Sequence, residues 1–222
     1  MRLVHPLKVS SLILLTAVAL AALGLGGDSV PYETPEYEIV ERLDSVEIRD
    51  YRPYLAAETT VDGDLEKAGN RGFPVLAKYI FGGNRSAKKI PMTSPVTQQV
   101  SGGEKIAMTA PVTQKRTDGQ YVVQFMMPSE YSKEALPVPN DARVNIREVP
   151  GRRVAAVRYS GTWSKRNYEK HLARLIDTLR AKGYAAVGQP TWARYNPPFT
   201  PWFLRRNEIM TEFRALPVAS RD

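Results

Sequence analysis

From Tyr37 onward the chain alternates apolar and polar positions at period two in several short runs. YEIVERL and VEIRDY (Tyr37–Tyr51) do so, as do YLAAETTV after Pro53 and QYVVQFMMP after Asp118-Gly119. NIREV and RRVAAVRY continue the pattern on either side of Pro150-Gly151. This is the spacing of strands with one face toward a core, and Pro150-Gly151 reads as the turn of a hairpin joining the last two. The period lengthens to 3.6 in two places. In LEKAGNRGFPVLAKYIFGGN, Leu65, Gly69, Phe73, Leu76 and Ile80 share a face. Gly69, Gly72 and Pro74 interrupt it; an interior proline costs ~3 kcal/mol and a glycine ~1 relative to alanine. The pattern therefore predicts a kinked helix, or one that starts near Pro74, ending at Gly82-Gly83-Asn84. The second helix is cleaner: Tyr168, Leu172, Leu175, Ile176 and Leu179 form the stripe, Ser164 can cap it and Gly183 can stop it. A short strand, a loop rich in proline and aromatics, and a closing strand follow.

Two repeats lie over this pattern. KIPMTSPVTQ (Lys89–Gln98) returns as KIAMTAPVTQ (Lys105–Gln114), with eight of ten positions identical. In each copy Ile, Met and Val occupy one parity (Ile90, Met92, Val96; Ile106, Met108, Val112), which predicts a pair of strands with matched apolar faces. The Thr-x-Pro steps would make them edges or irregular, because proline donates no ladder bond. The longer repeat sets VEIRDYRPYLAA (Val46–Ala57) against VNIREVPGRRVAA (Val144–Ala156). A Gly, a helix and further strands follow both blocks. The expectation is one α+β domain over residues 36–214, built from two related strand–strand–helix–strand units that close one core together.

Residues 1–27 read as an export signal or an uncleaved N-terminal anchor. Arg2 and Lys8 precede the apolar stretch Leu12–Leu25, and Ala17-Val18-Ala19 and Ala19-Leu20-Ala21 offer cleavage spacing. Residues 28–35 then form a linker and 215–222 a tail. The localisation that follows is periplasmic or secreted, or membrane-anchored if the N-terminal segment is retained. The formal charge is +8, with Arg2 and Lys8 contributing two of it, and the basic residues are scattered. No basic run interleaved with aromatics suggests a nucleic-acid groove.

The composition closes off much chemistry. With no cysteine there is no disulfide, thiolate metal site, cysteine nucleophile or covalent haem attachment. The chain carries no HExxH, phosphate-binding glycine loop or GxSxG motif. His5 lies in the N-terminal segment. His171 lies on the second helix as a boundary residue and is a weak candidate for an axial metal ligand. What the residues do offer is an apolar helix face (Phe73, Leu76, Ile80) with Arg71 and Lys78 beside it. A flat apolar ligand bearing carboxylates would suit such a wall.

KIAMTAPVTQ with its twin, PVLAKYIFGGN (Pro74–Asn84) and RYNPPFTPWFLRRNEI (Arg194–Ile209) together resemble the SOUL haem-binding protein family, over about residues 36–213. The resemblance implies a distorted antiparallel β-barrel of two pseudo-twofold repeats flanked by two helices. It also implies reversible, non-covalent binding of haem or other tetrapyrroles in an apolar groove between the first helix and the loop before the last strand. Carried over by position, the binding residues would be Phe73, Ala77 and Lys78 on the helix, with Arg71 near a basic position but shifted, and the loop from Asn196 to Trp202 with Pro197, Pro198 and Phe199; Leu76 and Ile80 join them from the apolar helix face. Lys78 would meet a propionate. Some members have a lysine in the Pro-Pro loop; here Thr200 stands there. Some have a histidine upstream of the first helix; this chain has none between His5 and His171. The expected function is a non-enzymatic exported tetrapyrrole binder. The alternatives are an interaction module of the same fold that no longer binds haem, or an enzyme acting on a tetrapyrrole with only Lys78 or Tyr79 to serve it.

Overall fold

The protein is described here from a computed structural model, over residues 32–86 and 103–217. The elements in chain order are β1 (Tyr37–Leu43), β2 (Val46–Tyr51), β3 (Tyr54–Val61), α1 (Leu65–Ile80), β4 (Asn84–Arg85), β5 (Val112–Thr117) and β6 (Gln120–Met126). Then come β7 (Val138–Pro139), β8 (Asn145–Val149), β9 (Arg152–Tyr159), α2 (Lys165–Ala181), β10 (Tyr184–Arg194), a 3-10 turn (Trp202–Leu204) and β11 (Asn207–Ala215). The fold is α+β: two helices on a large antiparallel sheet. Nine strands run in the order β1-β2-β9-β11-β10-β5-β6-β3-β8, and β4 pairs with β7 in a separate ribbon. The order is linear, with β1 and β8 at its ends.

The hairpin expected around Pro150-Gly151 does not form. β8 pairs with β3, and β9 pairs with β2 and β11. A two-residue hairpin turn matched to strand twist needs a residue at positive φ. Asp118 (φ 49°) and Gly119 (φ 84°) supply this between β5 and β6, whereas Gly151 is not among the positive-φ glycines. The Pro150-Gly151 link therefore lets its flanking strands part. It lies against the equivalent link of the first block: a Cβ on Gly151 would sit 3.0 Å from the Tyr51 carbonyl oxygen and 3.3 Å from Pro53.

α1 is one helix from Leu65 to Ile80, not one beginning at Pro74. Asp64 caps it, accepting from the Lys67 N–H at 2.9 Å. Its glycines are contact points. A Cβ on Gly72 would lie 2.6 Å from Val123 Cβ, and one on Gly69 would lie 2.8 Å from both Arg194 Nη1 and Gln114 Oε1. The helix thus lies closer to the sheet than a side chain would allow, which outweighs the propensity cost. Pro74 faces solvent. α2 forms where its stripe predicted, capped by Ser164 and followed by Gly183 at φ 79°.

α1 packs on β3, β5 and β6, and α2 packs on β9, β10 and β11. Under α2, Leu175, Leu179, Tyr168, Val157 and Ile209 are buried together; under α1, Leu76, Tyr79, Ile80, Val123 and Phe125 are. A third cluster gathers Tyr51, Val154, Ala156, Ala193, Tyr195 and Met210. The alanine pairs of the longer repeat, Ala56-Ala57 and Ala155-Ala156, are all buried.

The first twin copy lies outside the described residues, as do the N-terminal segment and the last five positions. In the second copy only the end, from Val112, enters the sheet. Before it the chain is extended but makes its bonds elsewhere. Ile106 N–H donates to Ile80 O, Ala110 N–H donates to Glu33 O, and Thr109 Oγ1 donates to Met126 O at 2.6 Å. Pro111 brings no donor of its own, so side-chain and bridging bonds replace a ladder here. Ile106, Met108 and Val112 still pack toward one cluster, as their parity predicted.

Candidate functional site

A cavity of about 420 Å³ opens between α1, the stretch from Met108 to Val112, the end of β10 and the loop that follows it. This is within the size of small-molecule sites, ~300–1,000 Å³. Its walls are mostly apolar: Phe73, Phe81, Met108, Ala110, Val112, Trp163, Pro197, Pro198 and Phe199 border it, with Gly69 at the base of α1. Asn70, Thr109, Tyr32, Tyr195 and Asn196 supply polar edges, and among the described residues Arg194 is the one charged member of the lining.

Each wall is fixed by identifiable bonds. Asn84 ties the end of α1 to the incoming segment: its Nδ2 donates to Tyr79 O (2.7 Å) and Glu104 O (2.8 Å), and its Oδ1 accepts from Glu104 N–H (2.9 Å). That seats Met108 and Thr109 on the rim. The loop after β10 is held by Arg205, whose Nε donates to Thr200 O at 2.8 Å and whose Nη2 donates to Pro198 O at 2.7 Å. Asn196 Oδ1 accepts from Arg206 N–H at 2.6 Å. Trp163 is anchored by Nε1 donating to the buried Asn207 Oδ1 at 2.8 Å. Its ring carries two guanidiniums, Arg205 at 4.2 Å and Arg194 at 4.6 Å.

Beyond the rim the loop presents Phe199 (85% exposed), Trp202, Phe203 and Leu204 to solvent. Such an apolar run beside an apolar cavity marks a contact surface.

The residues expected at the site divide. Phe73, Pro197, Pro198 and Phe199 border the cavity together. Leu76 and Ile80 are buried in the core beneath α1, and Ala77 is also buried. Helix geometry explains this: Ile80 shares the azimuth of Phe73 but lies ~10 Å further along the axis, and Leu76 is turned toward the sheet. Lys78 is outside the lining, its stem close to Gly83 and its charge close enough to Asp141 to help depress that carboxyl, after Arg143. Arg71 donates to Asp62 O at 2.8 Å, over the start of the helix. His171 stacks on Tyr159 with ring centroids 4.3 Å apart; burial, then Lys170 and Arg174, lowers its pKa. It does not border the cavity.

Arg194 and Trp163 were not singled out from the sequence; Met108 was named only as part of the apolar face of the second twin copy. The available signal was an arginine directly before the Pro-Pro loop, closing a strand whose last three residues, Trp192, Ala193 and Arg194, are all buried. An arginine in such company is rarely idle.

Residues 32–212 match the family model described as SOUL heme-binding protein. The chain belongs to the SOUL heme-binding protein family. Two relatives fit that assignment. Mouse "Heme-binding protein 2" is 27% identical over 200 residues, covering 84% of this chain and 93% of that protein. The human "Heme-binding protein 2" is 28% identical over 193 residues, covering 81% and 89%. Among solved structures, the EcmrR C-terminal domain superposes with a TM-score of 0.53 at 11% identity, covering 81% of this chain and 99% of that one; this shows a shared fold only. The three stretches that carried the resemblance to SOUL proteins each contribute to this cavity: the end of α1 (Phe81), the second twin copy (Met108–Val112) and the Pro-Pro loop.

Proposed function

We propose that this SOUL protein binds haem or a related tetrapyrrole reversibly and without covalent attachment, and that it is a binding protein rather than an enzyme. The observation that carries the reading is the cavity between Phe73 on α1 and Pro197–Phe199 in the loop. It brings apolar walls to the place where a flat apolar ligand could lie. The names of its relatives, heme-binding proteins, support the same ligand class. Among the described residues the lining has no His, Cys, Asp or Glu, so these residues offer neither an imidazole for iron nor a carboxylate base. Ligand affinity then rests on the porphyrin body more than on the metal.

The test is a titration of the protein with haemin and, beside it, with free-base protoporphyrin IX. Saturable Soret shifts of similar affinity for both are expected, and Phe73→Ala should weaken them about tenfold, as for loss of a buried aromatic contact worth ~1–1.5 kcal/mol. No saturable shift with either ligand would overturn the proposal. The alternative of an interaction module draws support from the exposed Phe199, Trp202, Phe203 and Leu204; it would be favoured by a silent titration accompanied by self-association in sedimentation.

Two structural expectations belong with this proposal. One is that the domain is a duplicated unit curled into a distorted barrel. The strand order supports the duplication. Pairing β2 with β8, β3 with β9, β5 with β10 and β6 with β11, the run β2-β9-β11-β10-β5-β6-β3-β8 reads the same from either end. The other is export through residues 1–27, supported by Arg2, Lys8 and the apolar stretch after them; N-terminal sequencing of protein from separated cell fractions tests it.

A further inference from the structure

The inner wall of the cavity holds a charge that the fold leaves unanswered. Arg194 is 7% exposed and lines the cavity. Its Nε donates to the Tyr168 hydroxyl at 3.0 Å. Its guanidinium stacks on Trp163 at 4.6 Å and lies 5.9 Å from the Tyr168 ring. Its Nη2 is buried with no hydrogen-bond partner. Among the described residues no Asp or Glu forms an ion pair with it, whereas Arg49 and Arg206 both pair with Glu208. A buried guanidinium without a carboxylate is unfavourable, because neither a neutral hydroxyl nor an aromatic face replaces lost hydration. Gly69 lets the guanidinium lie against the helix: a Cβ there would sit 2.8 Å from Arg194 Nη1 and 2.8 Å from Gln114 Oε1, which is also buried without a hydrogen-bond partner.

We infer that Arg194 is the receptor for a carboxylate of the ligand, and that this makes the site selective for apolar molecules carrying at least one carboxylate over their neutral esters. The inference rests on this cavity being the ligand site and gives it a chemical requirement. Guanidinium offers two parallel N–H donors to a carboxylate. The Tyr168 bond fixes Nε, and Trp163 fixes the plane, so the unpaired Nη2 edge is already oriented when the ligand arrives. It is Arg194, deep in the lining, that takes this part, with Lys78 outside the cavity.

The experiment compares acid and ester on the wild-type chain: protoporphyrin IX against its dimethyl ester, and cis-parinaric acid against its methyl ester as an apolar probe that is not a tetrapyrrole. Binding is followed by Soret shift and by probe fluorescence. The acids should bind about 10–100-fold more tightly than the esters, the range expected for a hydrogen bond to a charged group. Arg194→Gln should abolish that ratio and Arg194→Lys should restore part of it, with circular-dichroism melts confirming that both fold. Arg180→Gln, at the exposed end of α2, should leave it unchanged. Equal binding of acids and esters by the wild-type chain, or a folded Arg194→Gln that keeps the ratio, overturns the assignment and leaves tetrapyrrole binding standing. Acid-over-ester discrimination for parinaric acid without saturable porphyrin binding supports Arg194 and overturns the tetrapyrrole reading instead.

Discussion

Arg49 and Arg194 are both buried and differently treated. Arg49, 2% exposed, donates to Glu208 from Nη1 (2.8 Å) and Nη2 (3.2 Å), to Glu47 from Nε (2.9 Å) and to the Tyr51 hydroxyl (3.1 Å), and it lies over the Tyr37 ring. Glu208 is fully buried and accepts as well from Arg206 and from the Tyr195 hydroxyl at 2.9 Å. Burial alone would raise the Glu208 carboxyl, but the bonds and charges of Arg49, then of Arg206, outweigh it and hold the pKa below its ordinary value. Around Arg194 there are one hydroxyl, two aromatic faces, Gly69 and the uncharged Gln114 side chain, and no carboxylate among the described residues. The first region is a closed polar network in which every strong charge is answered, and it serves the fold. The second is left incomplete at the wall of a cavity, and incompleteness is what a ligand can complete. The two meet at Arg194-Tyr195: both residues border the cavity, but Tyr195 bonds Glu208 and belongs to the closed network, whereas Arg194 does not.

The contrast can be broken most forcefully at Glu208. Glu208→Gln strands Arg49 and Arg206 without their carboxylate and should cost about 3–5 kcal/mol of stability in urea denaturation, the usual effect of removing one partner of a buried ion pair. Gly72→Ala comes next. Its new methyl would meet Val123, and overpacking of ~1–3 kcal/mol should exceed the helix-propensity gain of ~1 kcal/mol. Arg194→Met should lie at the other extreme, changing the stability of the empty protein by less than ~1 kcal/mol, since loss of a hydrogen bond is offset by removal of an unpaired buried charge. A destabilisation as large as that of Glu208→Gln would erase the distinction between the two arginines. Smallest of all is the acid response at moderate pH. A carboxyl with a depressed folded pKa contributes stability that is complete above its unfolded value, here 4.5, and is lost as pH falls through the folded value. Denaturation midpoints measured between pH 7 and pH 3 should therefore be flat down to about pH 5 and then fall, and Glu208→Gln should flatten that fall.

Much of the fold was legible because local and global preferences agree. α2 shows this best: its cap, stripe and terminal glycine all point the same way, and the helix runs between them. The α1 glycines were harder. On the sequence they weaken a helix, and only the sheet beneath explains them, since Val123 and Arg194 come from strands remote in the chain. The hairpin expected at Pro150-Gly151 failed for a similar reason. Strand runs on either side of a proline–glycine turn predict neighbours, but which strand lies beside which is decided by contacts far away in the chain. For the site, Phe73 was reached from the helix's apolar face and Pro197–Phe199 through motif resemblance, and they do share a cavity. Lys78 was named because it is a cation on the correct helix, yet its azimuth takes it elsewhere. Arg194 went unnamed because the sequence cannot show that an arginine is buried without an acid beside it.

The chain's three tryptophans inhabit three different solvents. Trp192 is interior, Trp202 stands 57% exposed on the loop, and Trp163 lies at the cavity wall against two guanidiniums. Indole emission depends on polarity and on charge at the ring, so the protein carries a built-in optical gauge. A guest entering the cavity would register first at Trp163, while the emission of Trp192 would follow only the integrity of the sheet beneath.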